Sequence, residues 1–205
     1  MKINYLLSIP AALCFLFVFT ACDKEDQEIG ASKDLYFEAN LAGKSLYLPE
    51  GKDGYTSGAS AAPFENALGC IEIQNMSIGK NDGRKSIQVS FVKQQSTCDI
   101  DCEESMGMVQ EGTYTFGNVA TSPDNFIEGV VISYVDVDGK LWRTDFGLGQ
   151  QGSSNFRITK IEANTLDASG KFFVTAEFNC TLYDGEGNEI EVTDGEMVSR
   201  AILCQ

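Results

Sequence analysis

No histidine occurs among the 205 residues of this chain. That absence removes Ser-His-Asp and Cys-His catalysis and every zinc or iron site built on imidazole. Basic side chains are also scarce: 15 Lys and Arg stand against 30 Asp and Glu, for a formal net charge of −15. Such a surface repels the phosphates of nucleic acid and of anionic lipid, so neither is an expected partner. Paired CxxC spacings are missing, which argues against a thiolate metal site. No segment carries a convincing helical stripe of apolar residues. What remains open is carboxylate chemistry, oxygen-ligated calcium, or binding without catalysis.

The amino end has a different character from the rest. Lys2 supplies a positive start, and Leu6 to Phe19 form an apolar stretch broken only by Ser8 and Pro10. This is short for a membrane span, which needs roughly 20 apolar residues. Thr20 and Ala21 bring small side chains up to Cys22, as a signal peptidase requires. Phe19-Thr20-Ala21-Cys22 resembles the lipobox of bacterial lipoproteins, Leu-Ala/Ser-Gly/Ala-Cys, with departures at its first two positions. The resemblance implies a signal peptide over 1–21 and Cys22 as the lipidated first residue. Acyl chains stabilise membrane attachment by about 0.8 kcal/mol per buried methylene, so the expected partner there is a membrane, reached through the anchor. Residues 22–33 read as a solvated acidic tether. Within it, Lys24-Glu25-Asp26 resembles the lysine-plus-two-acidics signal of Bacteroidota surface lipoproteins, which implies the outer face of the outer membrane.

Residues 34–205 are enough for one β domain with its own core. In an exported domain disulfides persist, and Cys70, Cys98, Cys102, Cys180 and Cys204 remain for it. Their number is odd, so at least one thiol is unpaired or pairs between chains. Cys98 and Cys102 are the candidate disulfide, because they lie close together in one polar loop. The alternative is that each staples this loop to a strand cysteine.

Apolar residues alternate with period two between glycine, asparagine and aspartate, which predicts an all-β chain. Expected strands are Leu35 to Leu41 and Lys44 to Leu48 about a turn at Ala42-Gly43, then Cys70 to Gln74 and Ser86 to Val92 about Asn81-Asp82-Gly83. Gly112 to Phe116, Asn155 to Ala163, Lys171 to Tyr183 and Glu189 to Leu203 follow. Asp138-Gly139 predicts a two-residue hairpin turn that sets Val135 across from Trp142 and Val131 from Phe146 on an inward face. Tyr134 and Arg143 then share the solvated face. The same alternation turns Phe172, Val174, Ala176, Phe178, Cys180 and Leu182 to one side, making Cys180 a core residue rather than a reactive thiol. About nine or ten strands with inward alternation predict an antiparallel β-sandwich, with a calycin-like closed barrel as the alternative.

Gly112-Thr113-Tyr114, Ile158-Thr159-Lys160, Phe172 to Ala176 and Val192 to Met197 occur in an order that resembles a family of small Bacteroidota lipoproteins of unknown function. Their C-terminal halves run GTY, ITK, a GTF-like strand and TNGEF. This chain departs at Lys171 and Met197. The resemblance implies a β-sandwich-like fold and an envelope address, and no catalytic residues.

Three places offer chemistry. The loop Ser96 to Ser105 carries Asp99, Asp101 and Glu103, a weak calcium candidate that lacks the glycine of an EF-hand. Asp136-Val137-Asp138-Gly139 looks like a calcium loop only superficially, its apolar flanks favouring the hairpin turn, and no other cofactor is expected. Pro49 to Leu68 reads as a long connection whose Tyr55 and Phe64 either contact a ligand or cover the open end of the core. Tyr134 and Arg143 make a second candidate contact surface. The expected function is a non-catalytic binding or accessory module for a glycan, a peptide or an envelope protein. The rivals are a glycan hydrolase using two carboxylates and a structural part of an envelope or appendage complex.

Overall fold

The computed structural model describes residues 33–66, 69–99, 107–119, 126–147, 151–163 and 171–202, all within the compact unit Ser32–Gln205. The leader, Cys22 and nearly all of the tether lie outside the described residues. Among the described residues eleven strands form one sheet: β1 (Tyr36–Leu41), β2 (Lys44–Pro49), β3 (Tyr55–Asn66), β4 (Gly69–Lys80), β5 (Ser86–Gln95), β6 (Gly112–Tyr114), β7 (Gly129–Val135), β8 (Leu141–Arg143), β9 (Asn155–Ala163), β10 (Lys171–Tyr183) and β11 (Glu189–Ile202). The order is β2-β1-β11-β10-β8-β7-β5-β4-β3, with β9 branching from β10 and β6 pairing β9. β3 comes round beside β11, so the sheet is nearly closed and barrel-like. The chain is all-β and antiparallel as its alternation predicts, and of the two architectures weighed it takes the barrel-like one.

Period-two alternation creates the single interior. β10 turns Val174, Ala176, Phe178, Cys180 and Leu182 inward, with Phe172 packed against them, as its sequence predicts. Across the interior Phe37 stacks on Phe178 at 5.9 Å, Phe178 on Phe156 at 5.7 Å, and Phe156 meets the edge of Phe91 at 5.8 Å. Burying each such ring stabilises by roughly 1.5–3 kcal/mol. Burial also pushes the Cys180 thiol far up, which makes it inert.

Two turns show how local chemistry fixes register. Ala42 (φ 47°) and Gly43 (φ 76°) are both left-handed, the conformation a tight β1–β2 hairpin requires. At the β7–β8 hairpin the expected register is corrected by one residue: Tyr134 pairs with Trp142, and Val135 with Leu141. The loop is Val137-Asp138-Gly139, closed by Asp136 N–H donating to Lys140 O at 3.0 Å. The reason is the Asp136 side chain. Its Oδ1 accepts from the Asp138 and Lys140 amides, both at 2.9 Å, and its Oδ2 from Trp142 Nε1 at 3.1 Å. A three-residue loop with a left-handed Gly139 (φ 86°) satisfies all three donors. Ile132 and Tyr134 therefore join Trp142 inside, and Phe146 is exposed.

The Thr193-Asp194-Gly195-Glu196-Met197 stretch is a bulge in β11, where the registers with β1 and β10 both shift. Asp194 is left-handed (φ 52°), its amide donates to Asn179 Oδ1 at 2.9 Å, and its carboxylate accepts from Asn40 Nδ2 at 3.0 Å. Gly195 is required because a Cβ there would lie 2.8 Å from the Phe178 ring.

Two further expectations are corrected. The supposed connection Pro49 to Leu68 contains β3, paired with β4 from Tyr55↔Lys80 to Asn66↔Gly69. Its Ser, Gly and Ala residues gave no apolar alternation, yet small side chains suit the crowded site, where a Cβ on Gly58 would lie 2.8 Å from Ser77 Oγ. The disulfide joins Cys98 to Cys70 on β4, not to Cys102. The alternative pairing, loop to strand, holds for Cys98, since β5 carries Gln95 alongside Cys70 and the loop begins there. Cys102 lies outside the described residues. Closing this loop stabilises by roughly 3 kcal/mol in the chain-entropy account.

Among the described residues no ladder joins β3 to β11, and side chains close the cylinder instead. Ser57 Oγ lies 2.9 Å from Ser199 Oγ, and Arg200 forks onto both carboxylate oxygens of Glu50.

Burial alone would raise the Asp136 carboxyl, but hydrogen bonds from Trp142, Lys140, Asp138 and Gly139 outweigh it and hold the group below the usual range. Its contribution to stability is therefore complete above the unfolded-state pKa and lost as pH falls through the folded-state value. Asp136→Ala should lower unfolding free energy by about 2 kcal/mol at neutral pH, because Trp142 Nε1 loses its acceptor. In urea titrations the gap between variant and wild type should narrow as pH falls below about 4.

Candidate functional site

β10 does not have one neighbour along its whole outer edge. Phe172 to Asn179 pair with β9, and only Tyr183 pairs with β8, at Arg143. Between these contacts Thr181 faces no strand, and the side chain of Gln151 takes the place of one. Gln151 Nε2 donates to Thr181 O at 2.9 Å, and Thr181 N–H donates to Gln151 Oε1 at 3.0 Å. The same Nε2 also donates to Thr144 O at 2.8 Å, tying the end of β8 to β10. Ser154 Oγ completes the set at 3.0 Å on Oε1. Gly147 allows β8 to end here, since a Cβ on it would sit 2.4 Å from the Tyr183 ring.

The fork between these strands opens into a cleft of about 640 Å³. One wall is Thr113 to Asn118, which continues β6. The other is Thr144, Asp145 and Gly147, with Gln151, Gly152, Ser154 and Asn155 at the end. The first wall is held against β7 by Gly117 N–H donating to Val130 O and Val130 N–H donating to Thr115 O, both at 2.9 Å. Glycine is needed on both sides of that contact: a Cβ on Gly129 would lie 2.3 Å from Thr115 O, and one on Gly117 2.5 Å from Ile127 O. A hollow of about 340 Å³ adjoins the cleft through Thr113 to Thr115, and one of about 210 Å³ through Gln151, Gly152 and Ser154.

Asp145 is the one charged residue among the described residues that line the cleft, and its side chain is only 6% exposed. Its Oδ2 accepts from Val119 N–H at 3.0 Å and from Arg143 Nη2 at 2.6 Å. Among the described residues its Oδ1 is buried without a hydrogen-bond partner, and so is Arg143 Nε. Arginine and carboxylate usually meet as a fork, with two parallel bonds. Here one prong is made and the other is missing. The Arg143 guanidinium lies over the Phe146 ring at 4.8 Å, and the backbone of Arg143 is held between Ser133 and Tyr183. An unpaired buried acceptor costs about 1–3 kcal/mol unless water or a ligand satisfies it. The other described lining residues are Thr, Ser, Asn, Gln and Gly, with Tyr114, Phe116 and Ile127.

The residues singled out from sequence do not form this site. Tyr55 is buried in the core with Lys80 Nζ 4.9 Å from its ring centroid, so it covers the interior and is not a ligand contact. Tyr134 is likewise a core residue, brought inside by the three-residue loop. Arg143 stands behind Asp145 rather than on an open face. Phe64 belongs to β3 opposite Ile71, and its side chain lies outside the described residues. Asp99 is exposed beyond Cys98, while Asp101 and Glu103 lie outside the described residues. Among the described residues no group of three or more acidic or cysteine side chains is arranged to hold a metal ion. Gln151 and Asp145, which shape the cleft, were not among the residues the sequence pointed to.

Comparison with protein-family models, curated proteins and solved structures finds no match for this chain. The reading of its function therefore rests on the cleft itself.

Gln151→Ala should leave the Thr181 amide and carbonyl without partners and lower stability by about 2–3 kcal/mol. Hydrogen exchange at the Thr181 amide should accelerate more than exchange at Val174, deep in the same strand, which separates local loosening from global destabilisation.

Proposed function

We propose that this chain is an envelope lipoprotein, anchored through Cys22 at the outer membrane and displayed at the cell surface, whose β domain binds a glycan without transforming it. The observation that carries the binding reading is the lining of the cleft. Thr113, Thr115, Asn118 and Asn155 line it together with Tyr114 and Phe116, polar and aromatic residues side by side on the sheet. Sugars present that mixture in reverse, polar edges around apolar ring faces, and pockets of several hundred Å³ are the usual size for such ligands. Asp145 is the single carboxylate among the described lining residues, so hydrolysis by two flanking carboxylates draws no support from this cleft. The address rests on the leader, the small residues before Cys22 and the Lys24-Glu25-Asp26 stretch beyond it. An anchored module on an acidic, soluble domain suits capture of material outside the cell.

Purified full-length protein in detergent should retain at least one oligosaccharide class on a glycan array, with binding confirmed by calorimetry and without release of shorter products. Fatty-acid labelling in cells should be lost in Cys22→Ser. An array without any retained sugar removes the binding reading, and an unlabelled wild-type protein removes the anchor.

A further inference from the structure

Resting on that reading, we infer that Asp145 makes the cleft selective for uncharged sugars, its Oδ1 accepting a hydrogen bond from a ligand hydroxyl directly or across one bridging water. Oδ2 has no capacity to spare for this, because Val119 N–H and Arg143 Nη2 already occupy it. Oδ1 has no partner although Asp145 lines the cleft and its side chain is more than nine-tenths buried. Buried carboxylate oxygens in folded proteins are satisfied by protein, water or ligand, and here none of the described residues supplies a partner.

Arg143 could have closed the second prong and does not. Its guanidinium is stacked on Phe146 and its Nε is also unpartnered, so the pair is held half made. What fits beside it is a group able to donate to Oδ1, and a sugar hydroxyl is such a donor. Arg143 already counters the Asp145 charge, so a neutral donor suffices and an ammonium is not required. A uronate or sulfate meets the opposite situation. The described lining residues include no lysine or arginine, and the whole chain carries −15, so an anionic sugar brings repulsion with no counter-charge among them.

The test uses full-length protein in detergent with neutral cello-, xylo- and galacto-tetrasaccharides and with tetragalacturonate as probes, titrated by calorimetry at low and high salt. Wild type should bind a neutral probe at least about tenfold more tightly than tetragalacturonate, and the ratio should shrink as salt screens the repulsion. Asp145→Asn offers an amide N–H where an acceptor is needed, because its oxygen must still face Val119 N–H and Arg143. It should weaken the neutral probe about tenfold or more while narrowing the gap to tetragalacturonate. The wild-type ratio requires no variant, so it decides the matter even where Asp145→Asn fails to fold. Equal or tighter binding of tetragalacturonate by wild type, or unchanged neutral binding by a folded Asp145→Asn, overturns the role of Asp145 and leaves glycan binding standing. Wild type that binds neither these probes nor any array sugar brings down the glycan reading itself.

Discussion

The cleft exists because β10 is asked to support two different neighbours on one edge. β9 holds its first part and β8 touches only Tyr183, so a short stretch of backbone at Thr181 is left between them. Buried backbone groups must find partners. The Gln151 amide supplies both a donor and an acceptor to Thr181, as a strand would, while adding only the width of one side chain. A full strand in that place would fill the fork. One amide satisfies the backbone and leaves the space open, and Asp145 then finds itself inside that space with half its hydrogen-bonding capacity uncommitted. Architecture, opening and chemistry in this region share one cause.

Much of the fold was legible because alternation is a direct record of which side chains meet water. β9 and β10 were bounded in the sequence as they occur, and the inward set from Val174 to Leu182 was read residue by residue. Two kinds of information were not carried by alternation. The middle of β3, Ser57 to Ala62, is Ser, Ala and Gly with no apolar alternation, so its strand character came only from pairing with β4. The β7–β8 register depended on the Asp136 side chain, which is outside the Asp138-Gly139 dipeptide and favours three loop residues over two. A shift of one residue was enough to move Tyr134 from the supposed outer face into the core.

The candidate site was harder to read for a related reason. Aromatic residues in a polar stretch drew notice, and Tyr55 turned out to be the plug that such a stretch needs. The residues that shape the cleft are a glutamine in Gly147-Leu148-Gly149-Gln150-Gln151-Gly152 and an aspartate at the end of a short strand. Glycine and glutamine crowded between two strands were the available signal, and the signal was ambiguous because surface loops share that composition. What marks Gln151 is the position of Thr181, a backbone that no described strand pairs.

The closure between β3 and β11 has a mechanical consequence. Along most of the wall, neighbouring strands are laced by repeating amide bonds, and even the short β8–β10 contact keeps its Tyr183–Arg143 pair, whereas among the described residues a few hydroxyls and the Glu50–Arg200 clamp fasten this line. A ring fastened that way has a clasp. Pulled apart or jostled by heat, it gapes first along that line, and it can reseal without having lost a single rung of its backbone lacing.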